Sequence, residues 1–246
     1  DHDVTETDPA GESLFSHIRV SNTNERPTLT STPVTSATED AAYSYDVEAT
    51  DPDTGDTLTF SLVTRLTGMT INATTGLIAW TPTNDQVGAK RVTVRVQDAF
   101  SAITTQSFVI RVSNTNDPPT ITSTPVTSAT EDTTYSYDVN ATDPDAGDTL
   151  TYSLTTAPTG MTINAATGLI AWTPTNAQVG ANAVAVRVRD AALAAATQSF
   201  SITVTNTNDP PTITSTPVTS GTVDTAYSYE VQATDPDVGD RLTYSL

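Results

Sequence analysis

The sequence repeats itself with a period of 92 residues and no insertion. Residues 25–116 and 117–208 differ at 24 of the 92 aligned positions, residues 1–24 match the end of this repeat, and residues 209–246 match its beginning. A period of this length exceeds the roughly 20–50 residues of solenoid repeats and allows each unit its own core. We therefore expect two complete domains, preceded by the C-terminal strands of another repeat and followed by the N-terminal part of a fourth.

Within each repeat, apolar and polar residues alternate. In the segment YSYDVEAT, Tyr43, Tyr45 and Val47 fall on one face of a strand while the residues between them face the other way. Turn-forming sequences such as DPDTGD and NATTG follow such segments. Because no segment shows the spacing of an amphipathic helix, the pattern predicts an all-β, Ig-like sandwich of about seven short strands. The predicted core comprises Tyr45, Leu58, Phe60, Met69, Ile71, Ile78, Trp80, Val94, Val96 and Phe108.

The charge composition limits the possible partners. The chain carries 29 acidic residues against 10 basic ones and no cysteine. This excess of acid argues against nucleic acid as a partner, because phosphate binding needs Lys and Arg. It also supplies hard oxygen ligands of the kind that calcium prefers. No stretch approaches the roughly 18 apolar residues that would span a bilayer, so we expect no direct membrane insertion.

Several motifs resemble those of cadherin repeats. These are VEATDPDTGDTLTFSL (47–62), MTINATTGLIAW (69–80) and IRVSNTNDPP (110–119). The segment WTPTN (80–84) is similar to the dystroglycan-type, cadherin-like repeats of large bacterial surface proteins. The resemblance implies seven-stranded Greek-key sandwiches in a linear array, with Ca2+ bound at the joints between successive repeats.

In such joints, carboxylate and amide oxygens from two neighbouring repeats would share the cation. The ligands implied at the joint entering the first complete repeat are Asn22, Asn24, Glu25, Asp51, Asp53 and Asp98. Those implied between the two complete repeats are Glu39, Asp40, Asn114, Asn116, Asp117, Asp143, Asp145 and Asp190. Those implied at the joint into the last segment are Glu131, Asp132, Asn206, Asn208, Asp209, Asp235 and Asp237.

The chain also departs from the cadherin pattern. Where cadherins have Asp-Arg-Glu, the two repeats have Asn84-Asp85-Gln86 and Asn176-Ala177-Gln178, which predicts fewer ions per joint. The acids that follow glycine in the DPD turns, among them Asp56, are interpreted as turn caps. Acidic loops that only keep a repetitive protein soluble are the alternative to calcium binding. Aromatic residues such as Tyr43 and Trp80 could form a platform for sugar, but their alternation with polar residues favours the core.

The predicted function is that of a structural or adhesive stalk in an extracellular bacterial surface protein, with its domains rigidified by Ca2+. The alternatives are a polysaccharide- or protein-binding module, alone or appended to a secreted enzyme, and a subunit of a surface filament. The expected partners are a cell-surface glycan, a protein or copies of the chain itself. We expect no catalysis, because neither complete repeat contains a histidine that could activate a Ser or Thr nucleophile.

Overall fold

The computed structural model describes residues 4–7, 13–16 and 23–246. This part of the chain forms β-strands and two short 3-10 turns and contains no α-helix, which confirms the all-β prediction. Within the same residues, no helix is long and apolar enough to cross a membrane. The chain divides into two compact units, Asp1–Thr115 and Asn116–Leu246.

The first unit contains one hairpin and one complete sandwich. Its strands are β1 (Val4–Thr7), β2 (Ser13–Ser16), β3 (Thr28–Leu29), β4 (Ser36–Thr38), β5 (Tyr43–Asp46), β6 (Ala49–Thr50), β7 (Thr59–Thr64), β8 (Thr70–Ile71), β9 (Leu77–Trp80), β10 (Gly88–Gln97) and β11 (Ile103–Ser113). A 3-10 turn at Asn84–Gln86 lies between β9 and β10. Strands β1 and β2 form an antiparallel hairpin.

The sandwich follows the predicted Ig-like arrangement. One sheet has the strand order β4-β11-β10-β7, and the other contains β5-β9-β8 beside the short pair β3-β6. The segment from β3 to β4 changes sheets, because β3 pairs with β6 whereas β4 runs parallel to β11. If β3 with β4 and β5 with β6 each count as one interrupted strand, the sandwich has the predicted seven strands.

The break between β5 and β6 lies where the chain changes its pairing partner from β9 to β3 and where a turn approaches it closely. Gly76 has a φ of +79°, and its carbonyl oxygen accepts a hydrogen bond of 3.2 Å from the backbone N–H of Val47. A Cβ atom at Gly76 would collide with the carbonyl oxygen of Val47. Glycine is therefore required at this position, both for the left-handed conformation and for the space.

The core lies between the two sheets, where alternate residues of each strand are buried. Ile78, Val94 and Ile110 are fully enclosed, and Tyr43 packs edge-on against Trp80 with their ring centroids 6.0 Å apart. Eight of the ten predicted core residues are buried, and Leu58 and Ile71 are partly buried. The burial of the aromatic rings confirms the core interpretation over the sugar platform.

The second unit repeats this architecture and then continues into the last segment of the chain. Its strands are β12 (Thr120–Ile121), β13 (Ser128–Thr130), β14 (Tyr135–Asp138), β15 (Ala141–Thr142), β16 (Thr151–Thr156), β17 (Thr162–Ile163), β18 (Leu169–Trp172), β19 (Gly180–Arg189), β20 (Ala195–Thr205), β21 (Thr212–Ile213) and β22 (Ala233–Thr234). The 3-10 turn is at Asn176–Gln178. The larger sheets have the strand orders β13-β20-β19-β16 and β14-β18-β17. Strands β12 and β15, and strands β21 and β22, form two further two-stranded sheets.

Candidate metal centre

The DPD turn of the second repeat folds its acids towards one another. The Oδ1 atom of Asp143 accepts a hydrogen bond of 2.9 Å from the backbone N–H of Asp145. The N–H of Asp148 donates to the carbonyl oxygen of Asp145 at 3.2 Å. Two overlapping turns therefore bring Asp148 back beside Asp143, although four residues separate them in the sequence.

The hairpin between β19 and β20 supplies a third acid to the same place. Asp190 is only 3% exposed, and its Oδ1 atom accepts a hydrogen bond of 2.8 Å from the N–H of Ala194. Its Oδ2 atom accepts a hydrogen bond of 2.8 Å from the side-chain amide of Asn116. The hairpin is thus closed around a carboxylate that is fixed in position by two donors.

Asp143, Asp148 and Asp190 form what we call the turn cluster, in which one carboxylate oxygen from each residue lies within 4.8 Å of the others. The Oδ2 atoms of Asp143 and Asp148 are buried and have no hydrogen-bond partner. Burial raises the pKa of Asp148, and the neighbouring carboxylates of Asp143 and Asp190 raise it further. Buried, mutually repelling oxygens without donors are a setting in which a cation would offset a large desolvation cost.

The first unit contains an equivalent turn cluster of Asp51, Asp56 and Asp98. Asp98 accepts hydrogen bonds from the N–H groups of its hairpin and, at 3.0 Å, from the side-chain amide of Asn24. The Oδ2 atoms of Asp51 and Asp56 are again buried without a partner. Burial, followed by the charge of Asp51, raises the pKa of Asp56.

The second unit also contains a carboxylate cluster of a second kind, and Glu131 is one of its members. Its backbone N–H donates to the carbonyl oxygen of Thr205 at 3.1 Å, which extends the parallel pairing of β13 with β20. The side chain is 1% exposed, and its Oε1 atom accepts a hydrogen bond of 2.7 Å from the N–H of Thr207. The Oε2 atom is buried and has no partner.

Asp209 and Asp237 lie beside this glutamate, and the three residues form what we call the junction cluster, with one oxygen from each within 4.8 Å of the others. Asp237 accepts hydrogen bonds from the N–H of Asp209 at 2.7 Å and from the amides of Asn206 and Asn176 at 2.9 and 3.0 Å. The backbone N–H of Asp209 is the largest cause of the lowered pKa of Asp237, and Asn206 and Asn176 add to it against the effect of burial.

The junction cluster combines three parts of the sequence. Glu131 comes from the second repeat, Asp209 from the linker after β20, and Asp237 from the DPD turn of the last segment. In that turn, Asp235, Asp237 and Asp240 also form a group of oxygens within 4.8 Å of one another. Asp237 is therefore common to two adjacent groups.

The donor sets fit a hard divalent cation. Every acidic side chain in these clusters offers carboxylate oxygen, and no histidine or cysteine contributes to them. Calcium takes about six to eight oxygen ligands from carboxylates, amides and backbone carbonyls, and its flexible geometry suits irregular sites. The partnerless Oε2 atom of Glu131 and the partnerless Oδ2 atoms of the turn clusters are the atoms that would gain most from such an ion.

The structure brings some of the predicted ligands together and separates others. Asn206 donates to Asp237, which lies with Glu131 and Asp209 in the junction cluster, whereas Asp235 lies with Asp237 and Asp240 in the adjacent group. The side-chain amide of Asn208 donates to the carbonyl oxygen of Asp209. Asp132 is exposed, in a turn with a φ of +54°, and lies outside the junction cluster.

The set predicted for the joint between the complete repeats is divided between the two units. The members in the first unit are Glu39, Asp40 and Asn114, and those in the second are Asn116, Asp117, Asp143, Asp145 and Asp190. Glu39 is 1% exposed and accepts a hydrogen bond of 2.7 Å from the N–H of Thr115, while Asp40 is exposed with a φ of +56°. Asp145 accepts a hydrogen bond of 2.8 Å from the N–H of Asp117.

The set predicted for the joint entering the first repeat belongs to the first unit, where Asp51 and Asp98 join the turn cluster. The carboxylate of Asp53 accepts a hydrogen bond of 2.9 Å from the N–H of Glu25. Burial, followed by the charge of Asp53, raises the pKa of Glu25. Asn22 lies outside the described residues.

Two features of the clusters were not anticipated from the sequence. Asp56, Asp148 and Asp240 were interpreted as turn caps, yet the carboxylates of Asp56 and Asp148 lie in the turn clusters and that of Asp240 lies beside Asp235 and Asp237. Their recurrence at the same place after each DPD motif was the pattern that could have identified them. Asn176, which occupies a position where cadherins have an acid, contacts both Asp209 and Asp237 through its amide.

Comparisons with known proteins agree with this architecture. The profile of the "Putative Ig domain" family matches residues 26–113 and 118–205. The Protocadherin gammaB7 EC3-6 cis-dimer structure is 17% identical over 96% of this chain and 68% of that chain, with a TM-score of 0.55. The human CDH23 EC21-23 structure is 21% identical over 87% of this chain and 81% of that chain, with a TM-score of 0.57. These likenesses confirm tandem repeats with an Ig-like, cadherin-like fold.

The chain also matches the Protocadherin GammaB4 extracellular domain, at 22% identity over 79% of this chain, with a TM-score of 0.46. It spans 36% of the length of that protein chain. No curated protein matches the chain.

Proposed function

The chain belongs to the "Putative Ig domain" family, and from that premise we propose that its repeats form a structural or adhesive stalk whose joints are stiffened by Ca2+. We place this stalk in an extracellular bacterial surface protein, without catalytic activity of its own. Millimolar calcium outside cells would suffice, because extracellular modules typically bind the ion with dissociation constants of about 10⁻⁴–10⁻³ M.

The observation that carries this proposal is the buried, partnerless Oε2 atom of Glu131 beside the acids of the following segment. In the absence of a cation, the carboxylates of Glu131, Asp209 and Asp237 repel one another across the junction. Calcium bound there would neutralise this repulsion and hold oxygens from the second repeat and from the last segment at one point. The angle between successive repeats would then be fixed while the ion is bound.

Calorimetric titration of the whole chain with calcium tests the assignment. We expect Glu131→Gln, which keeps the acceptor for Thr207, to weaken one class of calcium sites by about tenfold or more, equal to about 1.4 kcal/mol. The matched control is Asp132→Asn, which removes the same charge from the adjacent, exposed residue and should change the affinity less than twofold. Equal titrations of the parent and Glu131→Gln would refute the junction site.

The stiffening is tested separately by small-angle X-ray scattering in calcium and in chelator. We expect calcium to narrow the distribution of maximum dimensions of the parent and to have a smaller effect on Glu131→Gln. If calcium binds but leaves the scattering unchanged, the ion stabilises individual repeats and does not fix the angle between them.

A further inference from the structure

The basic residues of this acidic chain are concentrated in one sheet of each complete repeat. The four-stranded sheets β4-β11-β10-β7 and β13-β20-β19-β16 contain six of the ten Lys and Arg residues of the chain. These residues are Lys90, Arg91, Arg95, Arg111, Arg187 and Arg189. The strands of the same two sheets contain no Asp or Glu, although the chain has 29 acidic residues.

In the first repeat, the arginines lie on the outer face of the sheet. Val92, Val94 and Val96 of β10 are fully buried, so the residues between them face away from the core. Arg95 pairs across the sheet with Thr105 and Ser61, and its Nε atom donates a hydrogen bond of 3.1 Å to the Ser61 hydroxyl. The outer face of this sheet therefore presents guanidinium groups among hydroxyl groups.

The second repeat presents the same chemistry with fewer charges. Arg187 lies opposite Thr197 and Ser153, and Arg189 lies opposite Ala195. The Nε atoms of both arginines are buried and have no hydrogen-bond partner. Arg187 occupies the position of Arg95 and Arg189 that of Gln97, so this face carries two guanidinium groups in the second repeat and three, from Arg91, Arg95 and Arg111, in the first.

The composition of the face favours a charged, hydroxylated ligand over a protein. The cores of protein interfaces are enriched in aromatic residues, and no outward position of these described strands is aromatic. In the second repeat the face consists mainly of Ala, Ser, Thr and Arg. Guanidinium groups bind sulfate-like and carboxylate groups through paired hydrogen bonds, and neighbouring hydroxyls can hydrogen-bond to sugar hydroxyls.

The spacing of the arginines suits a linear polymer. Residues four apart on a strand, such as Arg91 and Arg95, have Cα atoms about 13 Å apart, and residues two apart, such as Arg187 and Arg189, about 7 Å. We infer that the outer faces of these two sheets bind an anionic polysaccharide that carries sulfate or carboxylate groups along its chain. This surface goes beyond the proposed stalk and does not depend on the calcium clusters.

The test measures binding of the whole chain to immobilised dextran sulfate, polygalacturonate and neutral dextran in the same calcium-containing buffer. We expect binding to one or both polyanions and none to neutral dextran. The pairs Arg91→Gln with Arg95→Gln, and Arg187→Gln with Arg189→Gln, should each weaken this binding by about tenfold. The matched control, Arg26→Gln with Arg241→Gln, removes the same charge outside the sheets and should change binding less than twofold.

Three outcomes would overturn the inference. The first is that the parent binds neither polyanion at about 0.1 M salt, where exposed charges are already partly screened. The second is that the control pair loses as much affinity as the sheet pairs, which would indicate attraction by overall charge. The third is that the sheet variants bind both polyanions as the parent does but lose a concentration-dependent self-association in sedimentation, which would assign the face to a second copy.

Discussion

The two kinds of carboxylate cluster in the second unit use the same chemical groups in opposite electrostatic settings. In the junction cluster, Asp237 receives three N–H donors, which lower the pKa of its carboxyl group. In the turn cluster, burial and neighbouring acids raise the pKa of Asp148, whose Oδ2 atom has no partner. The contrast teaches that the donors around a carboxylate, more than the number of acids, decide how readily it holds its charge.

This contrast separates two possible tasks for calcium. At the junction, amide groups already hold Asp237 ionised, so a cation would mainly add a connection between the second repeat and the last segment. In the turn cluster, a cation would relieve an electrostatic cost that lies inside one repeat. We therefore expect an ion at the turn cluster to stabilise the fold of the repeat. We expect an ion at the junction to restrict the motion of the last segment relative to the second repeat.

The largest expected effect comes from removing the most enclosed acid of the turn cluster. In chelator, Asp190→Ala should lower the free energy of unfolding by about 2–3 kcal/mol, because the donors on Ala194 and Asn116 lose their acceptor. Urea unfolding measures this loss. The comparison variant is Asp209→Ala in the junction cluster, which should change the same quantity by less than about 0.5 kcal/mol. Equal decreases in the free energy of unfolding for the two variants would show that the two clusters contribute equally to the stability of the fold.

A smaller effect is expected from substituting Asp148, and the shift in melting temperature should have opposite signs in chelator and in calcium. In chelator, Asp148→Asn should raise the melting temperature, because it removes a carboxylate that burial and its neighbours make costly to ionise. In calcium, the same variant should melt below the parent, because it lacks one ligand for the ion. Asp56→Asn should behave in the same way in the first repeat. If either variant melts below the parent in both buffers, the repulsion within the turn clusters is not significant.

Much of the fold could be predicted from the sequence, because period-two alternation and a long repeat are local patterns. The break between β5 and β6 could not, since Val47 keeps the alternation through it and is buried as the pattern requires. The break lies where Gly76, which is about thirty residues later in the sequence, contacts the backbone of Val47. The pairing on either side of the break depends on the tertiary approach of other strands and turns, which a local pattern does not contain.

The types of residue in the candidate site could be predicted from the sequence, whereas much of their spatial arrangement could not. Glu131 and Asp132 are neighbours of the same charge, but the turn buries the first and exposes the second. Asp148 reaches the turn cluster because two overlapping turns reverse the chain, and Asp190 arrives there from a different hairpin. Sequence spacing does not determine on which side of a turn a carboxylate lies, so the positions of these carboxylates depend on the tertiary structure.

The two clusters should also differ in the order in which they take up protons. In chelator, as the pH falls, Asp148 should be protonated above the ordinary aspartate pKa of 3.8, and Asp237 only below it. The stabilising contribution of Asp237 is present above pH 3.8 and is lost as the pH falls further. That of Asp148 has the opposite sign, because its ionisation as the pH rises past 3.8 weakens the fold. Side-chain carboxyl ¹³C NMR measures both midpoints, and identical midpoints would remove the distinction.

The smallest effect is expected from the amide that joins the two acids of the junction cluster. Asn176→Ala removes the donor to Asp237 Oδ1 at 3.0 Å and to Asp209 Oδ2 at 3.4 Å. We expect the pKa of Asp237 to rise, because one of its donors is lost, and the calcium affinity of the junction to fall by about threefold, equal to about 0.7 kcal/mol. Asn140→Ala, an exposed amide outside the clusters, should change neither quantity. A tighter calcium site in Asn176→Ala would instead mean that the amide competes with the cation for the carboxylates, and the junction would then resemble the turn cluster in needing its ion.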